Sequence, residues 1–170
     1  MDEKRFSEII EEYQQPILSV IQKMVVSWDN ARDLCQDTFL KIWDYRHKIN
    51  DEKPIFTLLY KIAINISIDY LRKKRPETSR LDIEIPISEI EGIGFHEVYQ
   101  LILDCSKRLQ PKQKAVFILR DIEGFSFEEI KMIMNMPVSN IQSNLHLARK
   151  NIKNYMESIY QINQEIIYEV

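Results

Sequence analysis

A chain of 170 residues forms one ordinary domain or two small ones, and 45% hydrophobic with 29% charged residues is enough to bury a core rather than stay disordered. The net charge of -3 speaks against a free-standing, high-affinity DNA binder, which carries a basic excess. Only 3 glycines stand against 8 tyrosines and 7 phenylalanines, which disfavours sheets with many tight turns and suits helices joined by short connections.

The N-terminus "MDEKRFSEII" has no apolar signal core, and no apolar run approaches the ~18 residues of a membrane span, so a cytoplasmic protein is expected. Phe6, Ile9, Ile10, Tyr13, Ile17, Leu18, Ile21 and Val25 recur at three- and four-residue steps, predicting an amphipathic first helix with a kink or restart at Pro16. A second helix is predicted to open near Asp29 as its N-cap, with Leu34, Thr38, Phe39, Ile42 and Trp43 along one stripe. Cys35 here and Cys105 later have no partner spacing for a metal or a redox pair, and read as buried, reduced thiols. "RHKINDEKP", 46–54, reads as a loop. A third helix follows, with Phe56, Leu59, Ile62, Ala63, Ile66, Tyr70 and Leu71 on one face. It ends in "RKKRP", where cations suit the C-terminal dipole.

Residues 77–94, "ETSRLDIEIPISEIEGIG", change character. Leu81, Ile83, Ile85 and Ile87 alternate with polar residues and Pro86, but no partner strand exists elsewhere. An extended acidic linker is expected, either laid against another protein or serving as a solvated tether. Beyond it, "FHEVYQLILDCSKRL" is amphipathic, and Pro111 suits the first turn of the next helix, which Gly124 stops. Ser126 and Glu129 form a capping box, Asn135 to Val138 make a short turn, and Ser139 is expected to cap the last helix. Val138, Ile141, Leu145, Ala148 and Ile152 form that helix's inward stripe. Helix, short turn, helix is the helix-turn-helix pattern, which by itself also occurs in proteins that never touch DNA.

Two stretches together sharpen the reading. "NARDLCQDTFLKIW" followed by "LLYKIAINISIDYLRKKRP" resembles region 2 of the extracytoplasmic-function (ECF) group of bacterial RNA polymerase sigma factors. "LQPKQKAVFILRDIEGFSFEEIKMIMNMPVSNIQSNLHLARK" resembles the same group's region 4, in the right order and at the right spacing. The resemblance implies an all-α fold of two small helical domains joined by a flexible linker. A region-2-like bundle would occupy 1–76, the linker 77–94, a region-4-like helix-turn-helix domain 95–160 and a tail 161–170.

The same resemblance implies roles. Asp33, Leu34, Gln36, Asp37, Phe39, Leu40 and Trp43 match the helix that docks on core RNA polymerase; acids and a glutamine beside apolar side chains suit a protein groove rather than phosphates. For Leu34, Phe39 and Trp43 the competing reading is that they are simply core. Lys61, Asn65, Arg72, Lys73, Lys74 and Arg75 match the surface that captures the −10 promoter strand, where cations track phosphates and an amide can bond an unstacked base. Ser139, Asn140, Gln142, Ser143, Asn144, His146, Leu147, Arg149 and Lys150 match the helix that reads the −35 element. There Gln142 and the asparagines can pair with adenine and Leu147 can touch a thymine methyl. Family members usually carry basic residues at Gln142, Asn144 and Leu147, a small residue at Lys131, a glycine at Asn135 and a tryptophan at Leu58. Asn tolerates the left-handed conformation, and Lys131 must direct its ammonium outward.

The implied partners are core polymerase, promoter DNA and an anti-sigma factor, often membrane-bound in the family, with no cofactor, metal or small-molecule substrate. Alternatives remain: a sigma-like interaction protein that recognises promoters poorly, and a dimeric helix-turn-helix regulator, which has no need of the 29–75 block. His47, His96 and His146 lie far apart and no catalytic pattern accompanies them, so an enzyme is not expected.

Overall fold

The computed structural model describes residues 1–25, 27–49, 54–74 and 95–168, with residues 95 and 160–168 as backbone only. The expected linker over 77–94 lies outside these residues, as do Arg75 and positions 50–53 of the expected loop. Among the described residues there are seven α-helices and no strand.

The first lobe comprises α1 (Glu3–Met24), α2 (Trp28–Asp44) and α3 (Ile55–Lys74), each packed on the other two. Helix α1 runs unbroken through Pro16, without the restart that was one of the two expectations there. Pro16 is exposed, so the backbone bond it cannot make frees a carbonyl toward solvent. Ile9, Ile17, Val20 and Ile21, buried on the opposite side, hold both halves in register. Helix α2 begins earlier than expected. Its N-cap is Ser27, whose hydroxyl accepts from the Asn30 amide at 3.5 Å, and Asp29 instead lies in the first turn, where its charge favours the helix dipole.

The second lobe holds α4 (Phe95–Ser106), α5 (Pro111–Phe117), α6 (Phe127–Met134) and α7 (Val138–Tyr168). Pro111 opens α5 as expected. Beyond Phe117 the chain continues as a π-helical turn, Ile118–Ile122, closed by the Glu123 amide on the Ile118 carbonyl at 2.9 Å. Gly124, at φ 81°, then reverses the chain in a conformation that glycine adopts without steric cost. The capping box at Ser126 and Glu129 forms in full, and Asn135 ends α6 at φ 49°. Ser139 does not cap α7: the helix starts at Val138, and the Pro137 carbonyl receives the Asn140 and Ile141 amides. The helix also runs on through the expected tail to Tyr168.

The two lobes share one contiguous core. Residues 114–119 are buried in unbroken succession, because α5 lies between α7 and α3 and the π-turn packs on α1 and α6. The Phe125 ring stands edge-on to Phe56 and Tyr60, at 5.4 and 5.0 Å. Lys23 of α1 pairs with Glu123 at 2.6 Å. Lys114, only 3% exposed, donates from Nζ to the carbonyl of Met24 at 2.7 Å, so a cation from the second lobe sits on the negative end of α1.

Burial, helped by nearby Lys107 and opposed by Asp104, lowers the Lys114 pKa from 10.5 to about 8. Below pH 8 the folded and unfolded chains both carry this proton, and the cost of burying the charge is fully felt. Between about 8 and 10.5 the folded chain has shed the proton while the unfolded chain keeps it. Stability should therefore rise with pH in that window, by up to about 3 kcal/mol at roughly 1.4 kcal/mol per unit. The thiols of Cys35, raised by burial to about 11, and of Cys105, also raised by burial, act in the opposite sense above about pH 9. Urea titrations from pH 7 to 9 should show the rise in the native chain and lose it in Lys114→Met.

Candidate functional site

On α2, Asp33, Gln36, Asp37 and Leu40 fall at i, i+3, i+4 and i+7 and are all exposed, forming a single outward stripe. Leu40 is 51% exposed, unusual for a large aliphatic side chain. Leu34 and Phe39, expected on the same surface, are buried on the two flanks of the stripe, and Phe39 also lines the groove between α1 and α2. Their place is in the lobe's core, beside the stripe they were expected to join. Trp43 is half-buried, with the Phe6 ring 4.9 Å away and the Arg46 guanidinium 4.1 Å over its own ring. Between α1 and α2 runs a groove of about 420 Å³, with Phe6, Ile10 and Leu18 on one wall and Asp33, Gln36 and Leu40 on the other. An apolar floor with a mixed polar rim of Asp29, Arg32, Asp33 and Gln36 suits an amphipathic partner.

Helix α3 divides its duties by face. Asn65 lies nine positions beyond Phe56, about two and a half turns at 3.6 residues each, so the two point to opposite sides. Phe56 and Tyr60 meet Phe125 of the second lobe, while Asn65, Asp69 and Arg72 are exposed on the outer side and Lys61 is half-buried. Arg72 pairs loosely with Asp69 at 3.5 Å, and the Lys74 ammonium lies 5.1 Å from the Tyr70 ring centre. Lys73 is exposed. The amide of Asn65 and the cations of this helix thus stay open to solvent although its inner face is covered.

The exposed side of α7 presents Ser139, Asn140, Gln142, Ser143, His146, Leu147, Arg149 and Lys150, while Ile141, Leu145, Ala148 and Ile152 are buried beneath. Two of the expected contacts are turned back on the protein. Asn144 is only partly exposed, and its amide donates to the Asn140 carbonyl at 2.8 Å. Arg149 is held in a fork by Asp121, Nε and Nη2 donating at 2.8 and 2.7 Å, which raises the guanidinium's pKa further. Lys131 does direct its ammonium outward, to Glu128 at 3.1 Å.

Comparison with known proteins agrees with this geometry. Residues 9–77 match the profile of sigma-70 region 2, and residues 99–152 match that of sigma-70 region 4. The chain belongs to the ECF group of sigma-70 factors. It is 28% identical to the ECF RNA polymerase sigma-E factor of Escherichia coli K12 and 26% identical to that of Haemophilus influenzae, in each case over 93% of this chain and 90% of the relative. Two solved structures share the fold. One is of the sigma factor RpoE with the anti-sigma factor NepR from Bartonella quintana (TM-score 0.68, 19% identity, 91% of this chain and 98% of that one). The other is of CnrH with the cytosolic domain of CnrY (TM-score 0.68, 16% identity, 92% and 90%).

As an ECF sigma factor the chain directs RNA polymerase to promoters. Two features of this sigma factor escape a reading of its sequence: the buried cation at Lys114 and the Asp121–Arg149 fork. Each joins side chains far apart in the chain, and neither belongs to a periodic pattern. One signal was available for the first. "AVFIL", 115–119, is apolar at five successive positions, which marks a helix covered on all sides.

Proposed function

We propose that this sigma factor works through three separate surfaces. The α2 stripe of Asp33, Gln36, Asp37 and Leu40 docks on core RNA polymerase. The outer face of α3, with Lys61, Asn65, Arg72, Lys73 and Lys74, takes the −10 strand, and the exposed face of α7 around Asn140, Gln142 and Leu147 takes the −35 element. The observation that carries this reading is that the three faces remain open although the lobes are packed together. The chemistry of each face also suits its partner. Acids beside a bare leucine fit a protein groove, cations and an amide fit single-stranded DNA, and amides with an aliphatic tip fit a major groove. The α1–α2 groove suits an amphipathic segment of an anti-sigma factor, whose binding there would cover the docking stripe. Among the described residues no helix is long and apolar enough to cross a membrane, which fits work in the cytoplasm on a cytoplasmic polymerase.

Run-off transcription with purified core enzyme and a library of genomic promoters tests the whole reading: the sigma factor should produce discrete transcripts that core alone does not. The docking assignment has its own test. Asp33→Lys, Asp37→Lys and Leu40→Asp should each weaken binding to core by about 1–3 kcal/mol, the range of important interface positions. All three side chains are exposed, so thermal unfolding should barely move. Folded variants that keep full affinity for core would remove α2 from the docking surface.

A further inference from the structure

The depleted charge of the recognition helix is lower still than its composition suggests, because its best phosphate ligand already has an anion. We propose that Asp121 limits the promoter affinity of this sigma factor by competing with a DNA phosphate for the Arg149 guanidinium. The inference rests on the reading that the exposed face of α7 lies on DNA.

Arg149 and Asp121 are 28 positions apart, and the carboxylate takes both Nε and Nη2 from the side of the guanidinium. This is the planar two-bond geometry that a phosphate would use, and one edge of an arginine serves only one such acceptor at a time. The two partners differ in access. The Arg149 side chain is 58% exposed and open to an incoming ligand, whereas the Asp121 side chain is 21% exposed, although the residue as a whole is exposed, and it is fixed in the π-helical turn. The extra residue of that turn rotates the side chains after it by about 100° relative to a regular helix. The same turn leads into Glu123, which holds Lys23 of the first lobe, so both acids of "RDIEG" carry a base from another element. An ion pair this exposed is weak and screened by salt, so a phosphate can displace it. The pair therefore lowers affinity without abolishing it. Among the described residues, it leaves Lys150 on the outer face of α7 as a cation with no ion pair.

The test uses holoenzyme and a promoter duplex carrying a −35 element, titrated at several salt concentrations. Asp121→Asn keeps the shape and removes the charge; Asp121→Ser is a second route to the same end. Both should bind severalfold more tightly than the native chain. The plot of log affinity against log salt should steepen by about one unit, the signature of one added phosphate contact. Adding Arg149→Gln to Asp121→Asn should return the slope to the native value. Unchanged or weaker binding in both Asp121 variants would overturn the proposal and leave the pair as a brace between the π-turn and α7. An Arg149→Gln variant that alone flattens the slope by a full unit would overturn it too, since Arg149 would then already be reaching phosphate. Asn140→Ala and Gln142→Ala separate this failure from failure of the underlying reading. If they weaken binding while the Asp121 variants change nothing, only the Asp121 role falls; if they too change nothing, α7 is not on the DNA.

Discussion

In Lys114→Glu the two lobes should come apart. The native ammonium donates to the Met24 carbonyl at the C-terminal end of α1, where the last carbonyls of the helix lack partners and its dipole is negative. A carboxylate at that position can only accept, so it would face an acceptor of like polarity with no proton between them. Leaving an uncompensated buried charge costs about 3–5 kcal/mol. Other contacts also cross between the lobes: α3 packs on α5 and α6 within the shared core, Phe125 stands edge-on to Phe56 and Tyr60, and Lys23 pairs with Glu123. A partly buried ion pair is a modest term, and an aromatic pair adds about 0.5–1.5 kcal/mol beyond its area. Opening the interface returns the new charge to water, which is the route by which the variant should relieve its cost. Small-angle scattering should report it directly. A compact chain of this length has a radius of gyration near 15 Å, and the variant should exceed that clearly, with earlier proteolytic cleavage between residues 74 and 95. A variant that stays compact and unfolds in one cooperative step would mean that Lys114 does not hold the lobes together.

The same residue marks where sequence reading stops. Within a lobe, three- and four-residue spacing located the buried faces well. Ile9, Ile17 and Ile21 of α1 and Ile141, Leu145, Ala148 and Ile152 of α7 are all buried where their periodicity put them, whereas on α3 only Leu59 and Ala63 of the expected stripe are buried and Tyr60, Ile64 and Ile68 are buried beside them. Local chemistry also carried the Ser126 capping box, the left-handed Asn135 and the reversal at Gly124. Spacing alone cannot distinguish an apolar side chain that supports a surface from one that belongs to it. Leu34 and Phe39 share a motif with the exposed Asp33 and Leu40, yet they are buried beside them. Lys114 and Asp121 find partners 90 and 28 positions away, and such pairings depend on how whole helices stack. Asp29 and Ser139 are good caps by residue type, but helix ends moved by one or two positions once Ser27 and the Pro137 carbonyl could satisfy the first turn.

Helix α7 is open to the largest gain. Gln142 and Leu147 are exposed on α7, Leu147 by 44%, so arginines at both positions should enter solvent without disturbing the Ile141–Leu145–Ala148 face beneath. If this face lies in the major groove, each arginine can reach a guanine edge or a phosphate. A good base contact is worth about 1–3 kcal/mol, roughly five- to 150-fold in affinity. Added cations on one helix face repel one another, but such pairs cost only about 0.2–0.5 kcal/mol, too little to cancel the gain. The double variant Gln142→Arg/Leu147→Arg should therefore bind a −35-containing duplex some tenfold to several hundredfold more tightly, with a salt slope steeper by up to about two units. The native chain forgoes this affinity in a way that suits a polymerase subunit. A sigma factor with net charge -3 should spend little time on random DNA before it is assembled with core enzyme. The double variant should accordingly lose selectivity as it gains affinity, retaining more competitor DNA of unrelated sequence at low salt. Titration of both proteins against promoter and scrambled duplexes at two salt concentrations decides the matter. Equal affinity and equal slope for native and variant chains would take the exposed face of α7 off the DNA and make it a surface for another protein.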